Sequence, residues 1–238
     1  MRNEQIYEGK AKKLLLTDDK NVLLQRFKDS ATAFNGVKKA EFAGKGETNN
    51  AISTFCFQKL EAAGVPTHFI ERVNDRDMLI KRLDMIPLEI VVRNIVAGSL
   101  AKRTGLDEGT VVKEPIVETY LKRDDLNDPH LADVHVFMLD ILRPDQLERL
   151  KQLALKVNAT LDPIFERAGM KLVDFKLEFG LDADGQVVLG DEFSPDTSRL
   201  WDLETRRKLD KDVFRADLGD LMEVYHEVAA RLGVLPQT

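Results

Sequence analysis

Apolar and polar residues alternate in short runs near the start of the chain. Residues 12–17 and 22–27 each have the composition of a β-strand, and the polar residues 18–21 between them predict a turn. Residues 67–73 and 78–83 predict a second hairpin, closed by the polar residues 74–77. The first third of the chain is therefore expected to form short antiparallel strands with one helix among them.

That helix is predicted from an apolar stripe with helical spacing. Gly64 and Pro66 follow the stripe, as expected for the C-terminus of a helix. Cys56 lies on the stripe and is expected to be a small core residue. The apolar positions are Ile52, Phe55, Cys56, Leu60 and Ala63.

The segment 84–87 contains a proline and is predicted to interrupt the strands. We interpret it as the junction between a smaller N-terminal lobe, residues 1–84, and a larger C-terminal lobe, residues 85–238. Residues 88–92 then predict a further strand.

Two amphipathic helices are predicted in the second half of the chain. Pro144 begins the first, Pro163 is expected to kink or end it, and Gly169 closes it. Its apolar face consists of Leu147, Leu150, Leu153, Ala154, Val157 and Leu161. Gly233 follows the second, whose apolar face consists of Phe214, Leu218, Leu221, Tyr225, Val228 and Leu232. We expect both helices to cover sheets.

The most informative pattern is the strict alternation in residues 172–180. Four apolar side chains fall on one face of this strand, and Asp174, Lys176 and Glu178 fall on the other. Residues 182–185 predict a turn, and a second strand follows at 186–193. If Leu181 faces Gln186, then Asp191 joins the charged face; a slip of one residue would bring Glu192 there instead.

Two carboxylates on one sheet face can bind a hard cation such as Mg²⁺, which typically takes one or two protein carboxylates. Glu178 and Asp191 are the candidates. The alternative is the solvated face of an ordinary amphipathic hairpin. The lysine between two acids and the polar segment 191–196 that follows favour a site.

Candidate anion-binding residues follow two strands. Arg93 precedes Gly98 and Ser99, and Ser99 is predicted to cap a helix, where free N–H groups attract phosphate. Arg199 lies in the segment after the acidic hairpin, which is predicted to be a loop. The alternatives are an ordinary capped helix and a surface arginine packed beside Trp201. The segments 9–12 and 44–47, each with glycine and lysine, are weaker phosphate signals.

Composition and charge narrow the class of protein. The chain has 238 residues, 43% of them apolar and 32% charged, which is typical of a soluble globular protein. No apolar run approaches the length of a membrane span, and the N-terminus lacks the apolar core of a signal peptide. A net charge of −6 disfavours nucleic-acid binding. The single cysteine forms no internal disulfide, so a cytoplasmic location is expected.

Two long motifs carry a resemblance to a known family. Residues 85–99 and residues 172–180 are similar to the two signatures of the phosphoribosylaminoimidazole-succinocarboxamide synthase (SAICAR synthetase) family. Residues 9–12 and 190–201 also match its pattern. The similarity extends from about Tyr7 to Leu232, and it is weakest in residues 131–143.

The resemblance implies a two-lobed α+β fold, similar to protein kinases and ATP-grasp enzymes, with an antiparallel N-terminal sheet. ATP is expected between the lobes and Mg²⁺ beside it. The residues near the ATP phosphates would be Lys10, Ala11 and Lys12, and those whose backbone meets adenine would be Lys81 and Leu83. The metal ligands would be Glu178 and Asp191.

The same resemblance assigns the second substrate, a carboxylated imidazole ribotide. Its 5′-phosphate would be bound by Arg93, Ser99 and Arg199. Its imidazole and carboxylate would be surrounded by Glu89, Asp174 and Lys176. Lys122 and Asp128 would belong to a loop near the site. Lys12, Asp174 and Lys176 are the expected catalytic residues.

The implied activity is an ATP-dependent ligation of L-aspartate to the ribotide carboxylate, by way of an acyl phosphate, in purine biosynthesis. A small-molecule kinase and a non-catalytic nucleotide sensor remain alternatives at this stage. The expected partners are carboxyaminoimidazole ribotide and L-aspartate, with no nucleic acid and no membrane. The sequence does not fix the oligomeric state; a homo-oligomer is expected, with a dimer as one option.

Overall fold

The structure is a computed structural model that describes residues 4–33 and 37–235. The outermost residues of the two predicted lobes, 1–3 and 236–238, lie outside these ranges. The N-terminal part contains an antiparallel five-stranded sheet in the spatial order β1-β2-β3-β7-β6. Its strands are β1 (Gln5–Glu8), β2 (Lys12–Leu16), β3 (Val22–Phe27), β6 (Phe69–Arg72) and β7 (Asp77–Lys81).

Both predicted N-terminal hairpins are confirmed. Strand β2 pairs with β3, and β6 pairs with β7, each in antiparallel register. A separate two-stranded ribbon consists of β4 (Ser30–Ala33) and β5 (Lys38–Glu41). The predicted helix is α1 (Lys45–Ala62), which ends just before Gly64, where a φ of 75° turns the chain.

The second half is organised around a six-stranded sheet in the order β10-β9-β8-β11-β12, with β13 paired to β11. Its long central strands are paired antiparallel, so two extended segments of the chain lie side by side. The strands are β8 (Asp84–Ile95), β9 (Val111–Leu121), β10 (His130–Leu131), β11 (Met170–Leu181), β12 (Val187–Leu189) and β13 (Ser198–Asp202).

The prediction that residues 84–87 interrupt the strands is wrong. They form the start of β8, and Pro87 lies where the β8–β11 register shifts between Glu178 and Gly180. A proline fits such an irregularity because it has no N–H to donate to the ladder. The chain nevertheless changes sheets at this point, since every strand of the five-stranded sheet precedes Asp84.

The helices surround the sheets. The helix predicted at Pro144 is confirmed as α4 (Pro144–Arg167), and it continues past Pro163 for one more turn instead of ending there. The predicted last helix is in fact two: α5 (Asp212–Arg215) and α6 (Leu221–Arg231). Asp217 and Gly219 between them have positive φ, and the Asp220 side chain caps α6. The remaining helical segments are α2 (Gly98–Thr104), α3 (Asp133–Met138) and a 3₁₀ turn, Asp124–Leu126.

One large apolar cluster joins both sheets to α1, α4 and α6. The two sheets also contact each other through backbone groups: the His68 N–H donates to the Leu189 carbonyl at 2.8 Å, and the Leu189 N–H donates to the Pro66 carbonyl at 3.0 Å. The start of β6 is thereby tied to β12, which ends beside the acidic segment. Among the helices in the described ranges, none is both long and apolar enough for a membrane span.

Cys56 tests the packing of α1. Its side chain is fully buried in the large apolar cluster, and burial raises the pKa of its thiol. We expect Cys56→Ser to lower the free energy of unfolding by about 1–3 kcal/mol, because it places a hydroxyl among apolar groups. Denaturant unfolding measures this loss, with Cys56→Ala as the control that adds no polar group. The folded serine variant should keep its activity; a folded but inactive variant would contradict a pure packing role.

Candidate active site

A buried lysine from the five-stranded sheet meets the acidic segment of the other sheet. Lys12, at the start of β2, is ion-paired with Asp191 and also contacts Glu192 at 3.1 Å. Burial alone would lower the pKa of Lys12, but the carboxylates of Asp191 and Glu192 raise it above its ordinary value. Burial opposes ionisation of Asp191 too, yet Lys12 and Lys176 hold its pKa below the usual range. The pair is therefore charged.

The predicted register of the acidic hairpin is wrong by one residue. Leu181 pairs with Val187 and Phe179 with Leu189, so the loop includes Gln186, whose carbonyl accepts from Asp182 N–H at 3.0 Å. Strand β12 ends at Leu189, and Asp191 adopts a left-handed backbone with φ of 60°. This local reversal, and not strand pairing, turns the Asp191 carboxylate toward Lys12.

The predicted charged face of β11 is confirmed for Lys176 and Glu178, which are ion-paired with each other, and the apolar residues between the charged ones are buried. Glu178 lies directly opposite Glu89 on β8, an arrangement of like charges that is unfavourable unless a cation intervenes. Lys176 provides that cation, because its Nζ donates to both Glu89 Oε1 and Glu178 Oε1 at 2.8 Å. Lys122 is ion-paired with the second oxygen of Glu178. Burial would lower the pKa of Lys176, but Glu178 and Asp191 raise it well above its usual value.

This donor set fits Mg²⁺. Within residues 4–33 and 37–235, no three His, Cys, Asp or Glu side chains converge to hold a metal ion. Mg²⁺ ordinarily needs only one or two carboxylates, with phosphate oxygens and water completing its octahedron. The Glu178 side chain is buried and that of Asp191 is 18% exposed, and both hard oxygen donors have Lys176 as an electrostatic neighbour. In this structure both carboxylates pair with lysines, Asp191 with Lys12 and Glu178 with Lys122 and Lys176.

Four residues along β11 from Glu178, a second cluster contains the predicted arginines. Asp174 lies opposite Arg93 on β8 and opposite Arg199 on β13. Its carboxylate accepts from Arg93 Nη1 at 2.7 Å and from Arg199 Nη1 at 2.9 Å. Burial raises the pKa of Asp174, and the two guanidinium groups oppose that shift. The carboxylate holds the two cations side by side.

Ser99 is near these arginines but is not a helix cap. Helix α2 begins at Gly98, Ala97 is the N-cap, and the Ser99 hydroxyl accepts from Arg93 Nη2 at 3.0 Å. Gly98 has a φ of 53°, and a Cβ there would lie 2.5 Å from Arg199 Nη2. Only glycine therefore lets the helix start approach the arginine so closely.

Arg199 was predicted in a loop as a possible surface residue, and both expectations are wrong. It lies in β13, its side chain is 22% exposed, and its Nε donates to Asp212 at 2.8 Å. The sequence pattern also missed Glu118 on β9, which accepts from Arg93 Nε at 2.6 Å and is ion-paired with Arg103. Cations and carboxylates alternate in one chain of ion pairs that joins Arg103, Glu118, Arg93, Asp174, Arg199 and Asp212. This chain fixes the positions of Arg93 and Arg199.

The predicted nucleotide residues lie around β2 and β7. Lys10 is half exposed and is ion-paired with Asp124 at 2.9 Å, while the Ala11 carbonyl accepts from Lys28 N–H at 2.8 Å. The Lys81 N–H is already donated to the His68 carbonyl at 2.7 Å. Leu83 packs against Gly180 and Gly190, whose lack of a side chain allows this close contact. A Cβ added to Gly180 would lie 2.7 Å from Leu83 Cβ.

Two weaker predictions concern Asp128 and the segment 44–47, and the structure bears on them differently. Asp128 Oδ1 accepts from Arg123 N–H at 2.8 Å, so Asp128 shapes the 123–128 loop, which directly follows Lys122, the partner of Glu178. The segment 44–47 is not a phosphate loop. It forms the first turn of α1, and Lys45 is fully buried and ion-paired with Asp196. No sequence pattern indicated this pair, because its members are 151 residues apart.

Comparisons with known proteins agree with this geometry. A family model described as SAICAR synthetase matches residues 5–232. The phosphoribosylaminoimidazole-succinocarboxamide synthase of Bacillus subtilis (strain 168) is 54% identical over 233 residues, which are 98% of this chain and 97% of that protein. The enzyme of the same name from Streptococcus sanguinis (strain SK36) is 53% identical over 232 residues, 98% of each chain.

Solved structures show the same similarity over the whole fold. The phosphoribosylaminoimidazole-succinocarboxamide synthase of Ehrlichia chaffeensis aligns with a TM-score of 0.96 at 46% identity, covering 98% of this chain and 100% of that chain. A SAICAR synthetase in complex with ADP aligns with a TM-score of 0.94 at 51% identity, covering 98% and 99%. The predicted two-lobed α+β fold is thus confirmed, and the chain belongs to the SAICAR synthetase family.

Proposed function

We propose that the protein is an ATP-dependent ligase that joins L-aspartate to the carboxylate of 5-amino-1-(5-phosphoribosyl)imidazole-4-carboxylate in purine biosynthesis. The products are the succinocarboxamide, ADP and phosphate. The observation that carries the proposal is the arrangement of Asp174, Lys176 and Glu178 on one face of β11 in a full-length family member. One strand thereby links a pair of fixed arginines to a charged centre suited to phosphoryl transfer.

The ribotide 5′-phosphate is proposed to bind Arg93, Arg199 and the hydroxyl of Ser99. Guanidinium groups match phosphate geometry and remain charged at any relevant pH. Asp174 and Glu118 hold the Arg93 fork before the substrate arrives, so little side-chain entropy is lost on binding. With the phosphate there, the imidazole and its carboxylate extend along β11 toward Glu89 and Lys176.

ATP is proposed to bind between the sheets, with its phosphates near Lys10, Ala11 and Lys12 and its adenine against the backbone of residues 81–83. The Lys81 N–H is occupied, which leaves its carbonyl and Leu83 as the adenine contacts. Residues 1–84 would then be the nucleotide lobe and residues 85–238 the substrate and metal lobe. Lys122 and Asp128 close the side of the site next to Glu178.

The chemistry requires a carboxylate to become electrophilic. The γ-phosphoryl group of ATP is transferred to a carboxylate oxygen of the ribotide, and the bond to ADP breaks. Lys12 and Lys176 neutralise charge on the transferring group, which is where most catalysis of phosphoryl transfer arises. Mg²⁺ held by Glu178 and Asp191 would supply further neutralisation of the phosphate oxygens.

Amide formation completes the reaction. The neutral amine of aspartate attacks the activated carbonyl carbon, the bond from that carbon to the phosphate oxygen breaks, and one proton is released. The phosphate leaves with an oxygen that came from the ribotide. Asp174 and Lys176 hold the ring and the carboxylate in line for both steps. No covalent enzyme nucleophile is required, in keeping with the buried and unreactive environment of Cys56.

We also propose that the enzyme works in the cytoplasm and as a homo-oligomer, for which a dimer is the simplest form. The kinase alternative is not favoured, since the full-length relatives share the name of a ligase.

Removing either metal carboxylate should nearly abolish turnover. Glu178→Gln and Asp191→Asn keep the shape of the side chain and remove the anion, and we expect each to lower kcat by roughly 100-fold or more, the scale of a lost electrostatic contact to the transition state. Asp184→Asn, in the exposed turn of the same hairpin, is the matched control. Steady-state assays across Mg²⁺ concentrations measure the effect. Near-normal activity of both variants at low Mg²⁺ would show that the metal assignment is wrong.

Substitution of Arg199 tests the proposed binding of the ribotide 5′-phosphate more directly than substitution of Arg93 does. Arg93 is buried between two carboxylates, so Arg93→Ala would also destabilise the fold, whereas Arg199→Ala leaves Asp174 with Arg93 and Asp212 with Arg215. Loss of a charged hydrogen bond costs about 1.5–3 kcal/mol, or roughly 10- to 150-fold in affinity. Calorimetry should show that loss for the ribotide and little change for ATP, with Arg207→Ala as the surface control. A greater loss for ATP would refute the assignment.

An isotope experiment tests the reaction itself. Purified protein is incubated with ATP, Mg²⁺, L-aspartate and ribotide labelled with ¹⁸O in its carboxylate, and the masses of all products are measured. We expect the succinocarboxamide together with inorganic phosphate that carries one labelled oxygen, and unlabelled ADP. Unlabelled phosphate, with exchange into water excluded by a control without enzyme, would rule out the acyl-phosphate route; phosphate retained on an acceptor would indicate a kinase.

A further inference from the structure

Two buried side chains that the proposed chemistry does not use contact the backbone of Asp191. Gln25, in β3, donates from its Nε2 to the Asp191 carbonyl at 3.3 Å. His68, just before β6, is hydrogen-bonded through its imidazole to the Asp191 backbone. Gln25 is 2% exposed and His68 is 3% exposed. Asp191 is therefore held at its backbone as well as at its carboxylate.

The position of His68 is fixed by its own backbone and by packing. Its N–H donates to the Leu189 carbonyl at 2.8 Å, and its carbonyl accepts from the Lys81 N–H at 2.7 Å. Its ring packs edge-on against Phe57 of α1, with the ring centroids 5.2 Å apart. Within the part of the chain that the structure describes, Nε2 of His68 has no hydrogen-bond partner. The ring is therefore held by apolar packing and by its hydrogen bond to Asp191.

His68 contributes a hydrogen bond without contributing charge. Burial, together with the positive charge of Lys12, lowers the pKa of His68 to about 3, so the imidazole is neutral near pH 7. A neutral imidazole keeps one N–H and can still donate to a carbonyl. A cationic side chain at this position would repel a metal ion bound to Asp191. A neutral donor therefore suits a site that is proposed to accept Mg²⁺.

The backbone conformation of Asp191 determines where its carboxylate lies. Strand β12 ends at Leu189, and Asp191 has a φ of 60°, a left-handed conformation that is less favourable than an extended one for a residue with a side chain. Lys12 neutralises the carboxylate, but in the proposed function Mg²⁺ takes the place of that lysine. Hydrogen bonds to the Asp191 carbonyl persist when the partner of the carboxylate changes, so they can keep the residue oriented in both states.

We propose that His68 is a positioning residue which, together with Gln25, holds the backbone of Asp191 so that the carboxylate faces the Mg²⁺ site. The inference rests on the proposed function, in which Glu178 and Asp191 bind the metal ion. It adds two residues that act only through Asp191 and are assigned no contact with the metal ion or a substrate. Their loss should weaken the binding of Mg²⁺ to the nucleotide complex more than the binding of the nucleotide itself.

Calorimetry with ADP measures this effect without relying on turnover. The dissociation constant of ADP is measured in EDTA and in Mg²⁺, and the ratio of the two values gives the coupling between metal and nucleotide. His68→Leu and Gln25→Leu should each lower that ratio roughly 2- to 12-fold, the loss of one neutral hydrogen bond. The affinity in EDTA should change little, because neither side chain is proposed to contact the nucleotide.

Conservative variants and a matched control separate positioning from packing. His68→Asn and His68→Gln place an amide N–H near one or the other ring nitrogen, and at least one of them should restore most of the ratio. Asn50→Leu is the control, because Asn50 is fully buried and donates to the Asn74 and Asp75 carbonyls at 3.0 and 2.9 Å, in the turn between β6 and β7. This control should lower the free energy of unfolding and leave the ratio unchanged.

The use of two site variants keeps the experiment decisive. Gln25→Leu changes a different strand, so it tests the proposal even if His68→Leu does not fold. An unchanged ratio in the folded site variants, or an equal fall of the ratio in Asn50→Leu, would overturn the proposal. Failure of Mg²⁺ to strengthen ADP binding by the wild-type protein would instead refute the metal assignment of the proposed function, and this inference with it.

Discussion

The site depends on the neutralisation of charge in places that water barely reaches. Asp174, Glu178 and Asp191 are all buried or nearly so, and a buried carboxylate without a partner would be strongly destabilising. Each one therefore contacts at least one cation, and Asp174 and Glu178 contact two. Because the partners come from β2, β8, β11 and β13 and from Lys122 just after β9, satisfying three carboxylates fixes the relative positions of much of the molecule.

In the proposed function, the same requirement prepares the site for anionic substrates. A lysine that holds a carboxylate in the free protein can turn to a phosphate when a cation takes its place on that carboxylate, so the total charge in the cleft stays balanced. The guanidinium groups of Arg93 and Arg199 both donate to Asp174 Oδ2, so in the proposed function they need little rearrangement to accept a phosphate. In the proposed reaction, stability and catalysis therefore depend on one network of charges, and because these charges are fixed they lower the cost of reorganisation during reaction.

Local sequence patterns predicted the structure correctly where a single strand or helix determines it. The period-2 alternation of 172–180 predicted which residues of β11 face the site, and glycine and proline marked the ends of α1 and the start of α4. The pattern failed where backbone dihedrals intervene. The left-handed Asp191 invalidated the simple hairpin register, and positive φ at Asp217 and Gly219 divided one predicted helix into two. Partners far apart in sequence, such as Lys45 and Asp196, leave no local signal at all.

The proposed catalytic centre lies at the contact between the two sheets and depends on residues from both. Asp191 has a left-handed backbone and a carboxylate that is only 18% exposed, and Lys12 from the five-stranded sheet neutralises that carboxylate. Lys12 in turn would lose its charge at such depth without Asp191 and Glu192. The backbone bonds between His68 and Leu189 and between Leu189 and Pro66 hold the sheets at the distance that this mutual dependence requires. A nucleotide bound between the sheets would contact residues from both, so its binding and the packing of the two sheets stabilise each other.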